Sequence, residues 1–204
     1  MNVLPSGRNG LEGAMLILVL GLVVFLGGHS LTTARRTRAG LIGSLGEGAF
    51  KGLFSLVSAV GLVLIVWGFA RYREHGWVQL WTPPDWTRHI AMLLMWFAFV
   101  SLAASGRRPG RIRGWLRHPM LVSVKFWALA HLIANGDLGG VVLFGSFLAW
   151  AVFDRIAVKR RGDMGAPRVA SFTAADAIVV GGGTVAYVAM IYLHPVLIGV
   201  SVLR

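Results

Sequence analysis

The chain has 204 residues, 56% of them hydrophobic and only 14% charged, with a mean hydropathy of +0.69; a soluble domain averages roughly 25% charged residues, and here the apolar residues gather in runs long enough to cross a bilayer. It contains no cysteine, which excludes disulfides, thiolate metal sites and cysteine nucleophiles. The net charge of +12 is read as the Lys/Arg excess of cytoplasmic loops rather than a nucleic-acid footprint, with membrane lipid, anionic headgroups included, as the partner.

The first span is predicted over about Glu12 to Thr33. It has no small-x-small cleavage site and ends at His29, Arg35 and Arg36, so it reads as a retained helix and not a secretory signal. The second covers about Phe54 to Ala70, the third about Ile90 to Ala104. The fourth, about Met120 to Ala134, is short and polar for a span. Gly136-Asp137 separates it from the fifth, about Leu138 to Ile156. The sixth covers about Thr173 to Leu193, and the helix-stopping pair His194-Pro195 opens an apolar tail that sits in the interface or folds back. The expected fold is all-α: a polytopic membrane helix bundle of about six transmembrane helices, with residues 1–204 as a single membrane domain.

Orientation follows from Lys and Arg. Arg35, Arg36, Arg38 and Lys51 lie in the first loop, Arg107, Arg108, Arg111, Arg113 and Arg117 in the third, and Arg155, Lys159, Arg160, Arg161 and Arg168 in the fifth. Arg8, Arg71, Arg73, Arg88 and Arg204 fall on the other side. The bias places the odd loops in the cytoplasm and the N-terminus outside. Trp77, Trp81 and Trp86 suit an interfacial belt at the second loop. Gly181-Gly182-Gly183 has no following Lys-Ser/Thr and lies in an apolar helix, where close packing is its expected role. Gly48 and Gly52 form a weak GxxxG.

Polar or ionisable groups within spans are expensive and mark candidate sites. They are His29, Lys125, His131, Asn135, Asp137, Asp154, Asp176 and His194, with His118 at a span entrance in Arg117-His118-Pro119. No HExxH motif and no serine triad is visible. Several histidines in an apolar, cysteine-free chain suit haem iron, which histidines on facing helices hold in membrane bundles. The plainer reading of any one of them is a hydrogen bond between helices. Depth suggests an inner pair, His29 with His118, and an outer pair, His131 with His194. His118 and His131 are ~20 Å apart along one helix at 1.5 Å per residue. Arg117 and Lys125 can face carboxylates such as a haem propionate, Asp137 or Asp154, or else Arg117 belongs to the basic cluster and Lys125 snorkels. Asp154 beside Arg155 is expected to close helix five at the headgroups.

The stretches FLGGHSL, GEGAFKGLFSLVSAVGLVLIVWG, LWTPPDWTRH, HPVLIGVS and above all RHPMLVSVKFWALAHLIANGDLGG resemble the NnrU family of bacterial membrane proteins. That resemblance implies a bacterial cytoplasmic (inner) membrane protein linked to denitrification, and a kinship with the 15-cis-zeta-carotene isomerase, which is thought to hold haem b through histidines and to isomerise a polyene when the iron is ferrous. The histidines of its H-S and L-A-H motifs correspond to His29 and His131, the haem-iron ligands the resemblance implies, with His118 and His194 as further cofactor-binding candidates and Arg117, Lys125, Asn135 and Asp137 as supporting residues. The isomerase's alternate cysteine ligand corresponds to Ala128 here, so a ligand switch does not carry over.

The leading expectation is therefore a haem b-binding protein of nitrogen-oxide metabolism, or of redox-gated cis–trans isomerisation of a membrane polyene. A second is a non-catalytic accessory or assembly factor for a membrane reductase. A third is a small membrane methyltransferase, because RHPMLVS resembles the RHPxYxG motif of isoprenylcysteine methyltransferases, although the Tyr and Gly are missing. A transporter ranks last, since no inverted repeat is visible.

Overall fold

A computed structural model gives the fold and describes residues 6–31, 33–106 and 109–203, with side chains from residue 9 onward. Arg107, Arg108, Arg204 and the side chain of Arg8, all counted toward the charge bias, lie outside what is described. The protein is an all-α polytopic membrane helix bundle. Among the described residues there is no strand, only a single bridging pair, Gln79 with Asp137. Eight helices follow in order: α1 Ser6–Ser30, α2 Arg35–Leu45, α3 Glu47–Glu74, α4 Trp86–Ala103, α5 Arg111–Leu116, α6 Pro119–Ala134, α7 Leu138–Arg160 and α8 Ala174–Leu197. Five of them, α1, α3, α4, α7 and α8, are long and apolar enough to cross a membrane. The sixth expected span is α6, which has 16 residues. At 1.5 Å per residue that is about 24 Å, short of a ~30 Å hydrocarbon core. The apolar side chains that remain exposed along these helices, such as Leu16, Val63, Leu93 and Val185, face lipid.

The chain packs as two compact units, residues 1–82 with 135–150, and residues 83–134 with 151–204. In the first unit α1 and α3 run antiparallel in close contact, and glycine makes the approach possible. A Cβ on Gly21 would lie 2.6 Å from the Ile65 backbone nitrogen, and one on Gly61 would lie 2.8 Å from that of Phe25. Gly68 meets the Leu18 backbone in the same way. Between apolar helices in lipid, this backbone approach and its dispersion contacts replace the hydrophobic driving force of water. Gly48 and Gly52 have nothing within 4 Å, so the GxxxG read from the sequence is not a contact here.

The 76–82 loop is clasped to the start of α7. Leu80 and Trp81 N–H donate to the Gly136 carbonyl (2.7 and 3.1 Å), and Leu138 N–H donates to Val78 (2.9 Å). Tyr72 is fully buried, accepts the Val78 N–H at 2.9 Å, and lays its ring on Gly139. Trp77, Trp81 and Trp86 are exposed, as an interfacial belt requires.

In the second unit α4 packs against α6 and α8. Gly183 abuts the Val100 backbone, where a Cβ would come within 2.8 Å of its Cα, whereas Gly181 and Gly182 face open space. One glycine of the three thus serves the packing expected of the run. Trp96 donates to Thr184 across α4 and α8 (3.0 Å), and Phe97 stacks on Phe126 of α6 (5.7 Å).

Two expectations are corrected. The pair His194-Pro195 does not stop the last helix, because α8 runs to Leu197 with Pro195 inside it. Proline removes one backbone donor, and only two helical residues follow it. The stop is Gly199 at φ +79°, with Ile198 N–H on His194 (2.8 Å) and Gly199 N–H on Pro195 (3.1 Å), the left-handed glycine ending common to helices. Nor does Asp154 close helix five: α7 continues to Arg160 and Asp154 is buried.

Candidate functional site

In the first unit His29 stands one residue before the end of α1. Its Nδ1 lies 2.7 Å from the Phe25 carbonyl, one turn back. A carbonyl only accepts, so Nδ1 donates to it. The ring stacks on Phe25 at 4.2 Å, and meets Phe54 of α3 at 5.2 Å and Trp150 of α7 edge-on at 6.0 Å. Phe147 closes on Phe25 at 5.7 Å. The imidazole therefore sits in an aromatic cage built by three helices.

Two polar atoms in this region lack a hydrogen-bond partner among the described residues. They are the buried Trp150 Nε1 and the buried Ser58 Oγ, the latter one turn along α3 from Phe54. A buried indole N–H without an acceptor costs about 1–3 kcal/mol and calls for an explanation. Nothing in the sequence distinguishes Trp150 from an interfacial tryptophan, so it was not singled out there.

In the second unit His131 repeats the local device of His29. Its Nδ1 is 2.8 Å from the Trp127 carbonyl, with the Trp127 ring 5.5 Å away. An aromatic residue four positions before the histidine is thus common to both, and was legible as F-x-x-x-H and W-x-x-x-H. The back-bond alone is not distinctive, since His75 makes it to Arg71 (2.8 Å) at the exposed end of α3. His194, the other member of the outer pair read from depth, lies in the last turn of α8. Its own Nδ1 donates to the Val200 carbonyl at 2.7 Å, so the tail folds back on it.

Arg117, His118 and Asp137 hold backbone in place. His118 Nε2 is 3.4 Å from the Asp163 carbonyl, and it lies at the end of α6 opposite His131. Arg117 donates to the Ala166 carbonyl (3.1 Å) and its own carbonyl accepts Ala166 N–H (2.8 Å). The Arg-His-Pro motif is thus a clasp on the segment after α7. Asp137 caps α7, its Oδ1 accepting Gly140 N–H at 2.8 Å, and Asn135 and Gly136 form the turn just before it. Lys125 is half-buried on α6 and makes no ion pair or hydrogen bond among the described residues.

Imidazoles in apolar, aromatic surroundings fit haem iron. A carbonyl-bonded Nδ1 is the orientation that metal-bound histidines adopt, and the unpartnered Trp150 N–H fits a propionate or another acceptor on such a group. Ala128, fully buried on α6, offers no ligand atom. Among the described residues no group of three or more His, Asp or Glu side chains is placed to hold a bare metal ion.

No curated protein and no solved structure matches the chain. The family model described as NnrU protein matches residues 17–202, a stretch that takes in both histidine helices, the loop clasp at Gly136 and the folded-back tail. The chain belongs to the NnrU family.

Proposed function

We propose that this protein binds haem b in the bacterial inner membrane through His29 and His131, and works as a redox protein of nitrogen-oxide metabolism or of cis–trans isomerisation of a membrane-soluble polyene. The observation that carries the reading is the shared setting of the two imidazoles: each has Nδ1 committed to the carbonyl of an aromatic residue one turn back. That hydrogen bond holds the ring's tautomer and orientation before any ligand arrives. The phenylalanines and tryptophan around His29 exclude water, and Trp150 has an N–H to give to an acceptor on the bound group. Haem held there supplies a one-electron couple inside the bilayer, where a polyene also dissolves. With Ala128 in place of a thiol, that position of α6 would offer the group no alternate ligand.

The test is the absorption spectrum of the purified protein, oxidised and dithionite-reduced. A Soret band that sharpens on reduction and weakens in His29→Ala and His131→Ala supports the reading. Folded, monodisperse protein without a Soret band after haem supplementation sinks it. Full rescue of a deletion strain by the double alanine variant would instead favour a non-catalytic accessory to a membrane reductase.

A further inference from the structure

Three guanidinium groups in the second unit lack an anion. Arg111, Arg113 and Arg168 make no ion pair among the described residues, and the Arg113 Nε is buried with no acceptor. Asp176, whose carboxylate meets the start of α5, is occupied. It accepts the backbone N–H groups of Arg111 (3.1 Å), Ile112 (2.8 Å) and Thr173 (2.8 Å), and the Thr173 hydroxyl (3.1 Å).

Arg111 is held by stacking instead of by charge. Its guanidinium lies 4.7 Å from the Trp115 ring and 4.8 Å from the Phe172 ring, and the two rings meet edge to face at 5.5 Å. Held by cation–π contact and making no hydrogen bond or ion pair from its side chain among the described residues, the guanidinium keeps N–H donors for a planar fork onto an oxyanion. Beside it opens a pocket of about 440 Å³ lined by Arg111, Trp115, Arg168, Val169 and Ala170. No acidic side chain lines it.

The walls are fixed. Gly114 is pressed on the Pro167 carbonyl and the Arg168 backbone, where a Cβ would come within 2.7 and 3.0 Å. Arg117 and Ala166 exchange two hydrogen bonds, and Arg117 holds φ +61° to make them, a conformation unusual for a side chain of its size. The pocket lies at the end of the unit where α4 ends and α6 and α8 begin, at the edge of the lipid-facing helices. Trp115 and Phe172 are both 58% exposed there, which is where aromatic rings sit at a headgroup boundary.

We propose that this pocket binds the phosphate of an anionic glycerophospholipid headgroup, with Arg111 and Arg168 on the phosphate oxygens and Trp115 and Phe172 at the acyl boundary. Both charged residues of the lining are arginines, which selects an anionic lipid over a zwitterionic one, because among the described lining residues no carboxylate is present to receive a choline or ethanolamine cation.

The experiment uses the full chain in mild detergent, titrated with phosphatidylglycerol or phosphatidylcholine of matched acyl chains, with bound lipid counted by native mass spectrometry. Phosphatidylglycerol is expected to be retained and phosphatidylcholine not. Retention should fall about fivefold in Arg168→Gln and about thirtyfold in Arg111→Gln/Arg168→Gln. Among the described residues the Arg168 side chain makes no hydrogen bond or ion pair that its replacement would break, so the single variant separates binding from folding. The control Arg35→Gln/Arg36→Gln, which removes the same charge from α2, should retain the lipid. Equal retention of both lipids, or equal loss in the control, overturns the proposal. Displacement of phosphatidylglycerol by millimolar inorganic phosphate would overturn the lipid as source and leave a soluble phosphate as the ligand.

Discussion

Trp150 and Asp176 are opposite cases of a polar group taken out of water. Trp150 has a buried donor with no acceptor; Asp176 is buried with its oxygens filled by four donors from two helices. Removing the first should relieve a cost of about 1–3 kcal/mol. Trp150→Phe is therefore expected to melt no lower than the parent when haem-free, by intrinsic-fluorescence thermal denaturation, yet to retain less haem through gel filtration. A large loss of haem-free stability would mean that the indole N–H already has a partner. Asp176 caps α8 through its Thr173 capping box and also takes the first N–H groups of α5. Asp176→Ala should cost about 2 kcal/mol, since two helix starts lose their acceptor. Asp176→Asn should recover part of that, because an amide oxygen still accepts. Equal melting of the two variants would count against this double role. In the sequence Asp176 stood out only as an ionisable group inside a span. Its work on α5, more than sixty residues away in the chain, is a tertiary fact with no local signal.

At the scale of helices, composition placed the elements well and their ends poorly. The long apolar runs located five crossing helices and α6. Each run understated its helix where polar residues continue the turn, as at Glu47–Phe50 and Arg71–Glu74 of α3. The basic segment Arg35–Leu45 was read as loop and is a helix with no buried residue. No apolar stripe marks such a helix. Glycines were equally ambiguous, for the sequence does not tell a glycine under a helix crossing from one facing lipid. Gly61→Val should clash with the Phe25 backbone, which cannot step aside, and cost about 1–3 kcal/mol. Gly27→Val, with nothing within 4 Å, should stay within about 0.5 kcal/mol. Thermal melting in one detergent compares them, and equal destabilisation would refute the α1–α3 contact.

For the molecule as a whole, the charge bias implies a topology that the lack of cysteine makes easy to test. Single cysteines at Ser44 and Met164 should react with an impermeant maleimide only from the cytoplasmic side, and one at Gln79 only from outside. The reverse pattern would invert the assignment. Membrane class, helical architecture and family were all legible in the chain, because hydropathy and run length are sums over many residues and survive local error. The two histidines at the centre of the proposed function were legible as well, through the motifs around them. The cage about His29, the unpartnered Trp150, the caps made by Asp137 and Asp176 and the guanidinium pocket at Arg111 were not. The cage, the Asp176 bonds to α5 and the pocket join residues from separate elements, and such groupings depend on which helix faces meet and at what depth, quantities that hydrophobicity and spacing along one chain do not encode. The bonds of Arg117 and His118 to the backbone after α7 were decided by the tertiary structure in the same way, because a residue's chemistry names what it can bind and only its neighbours in space determine what it meets.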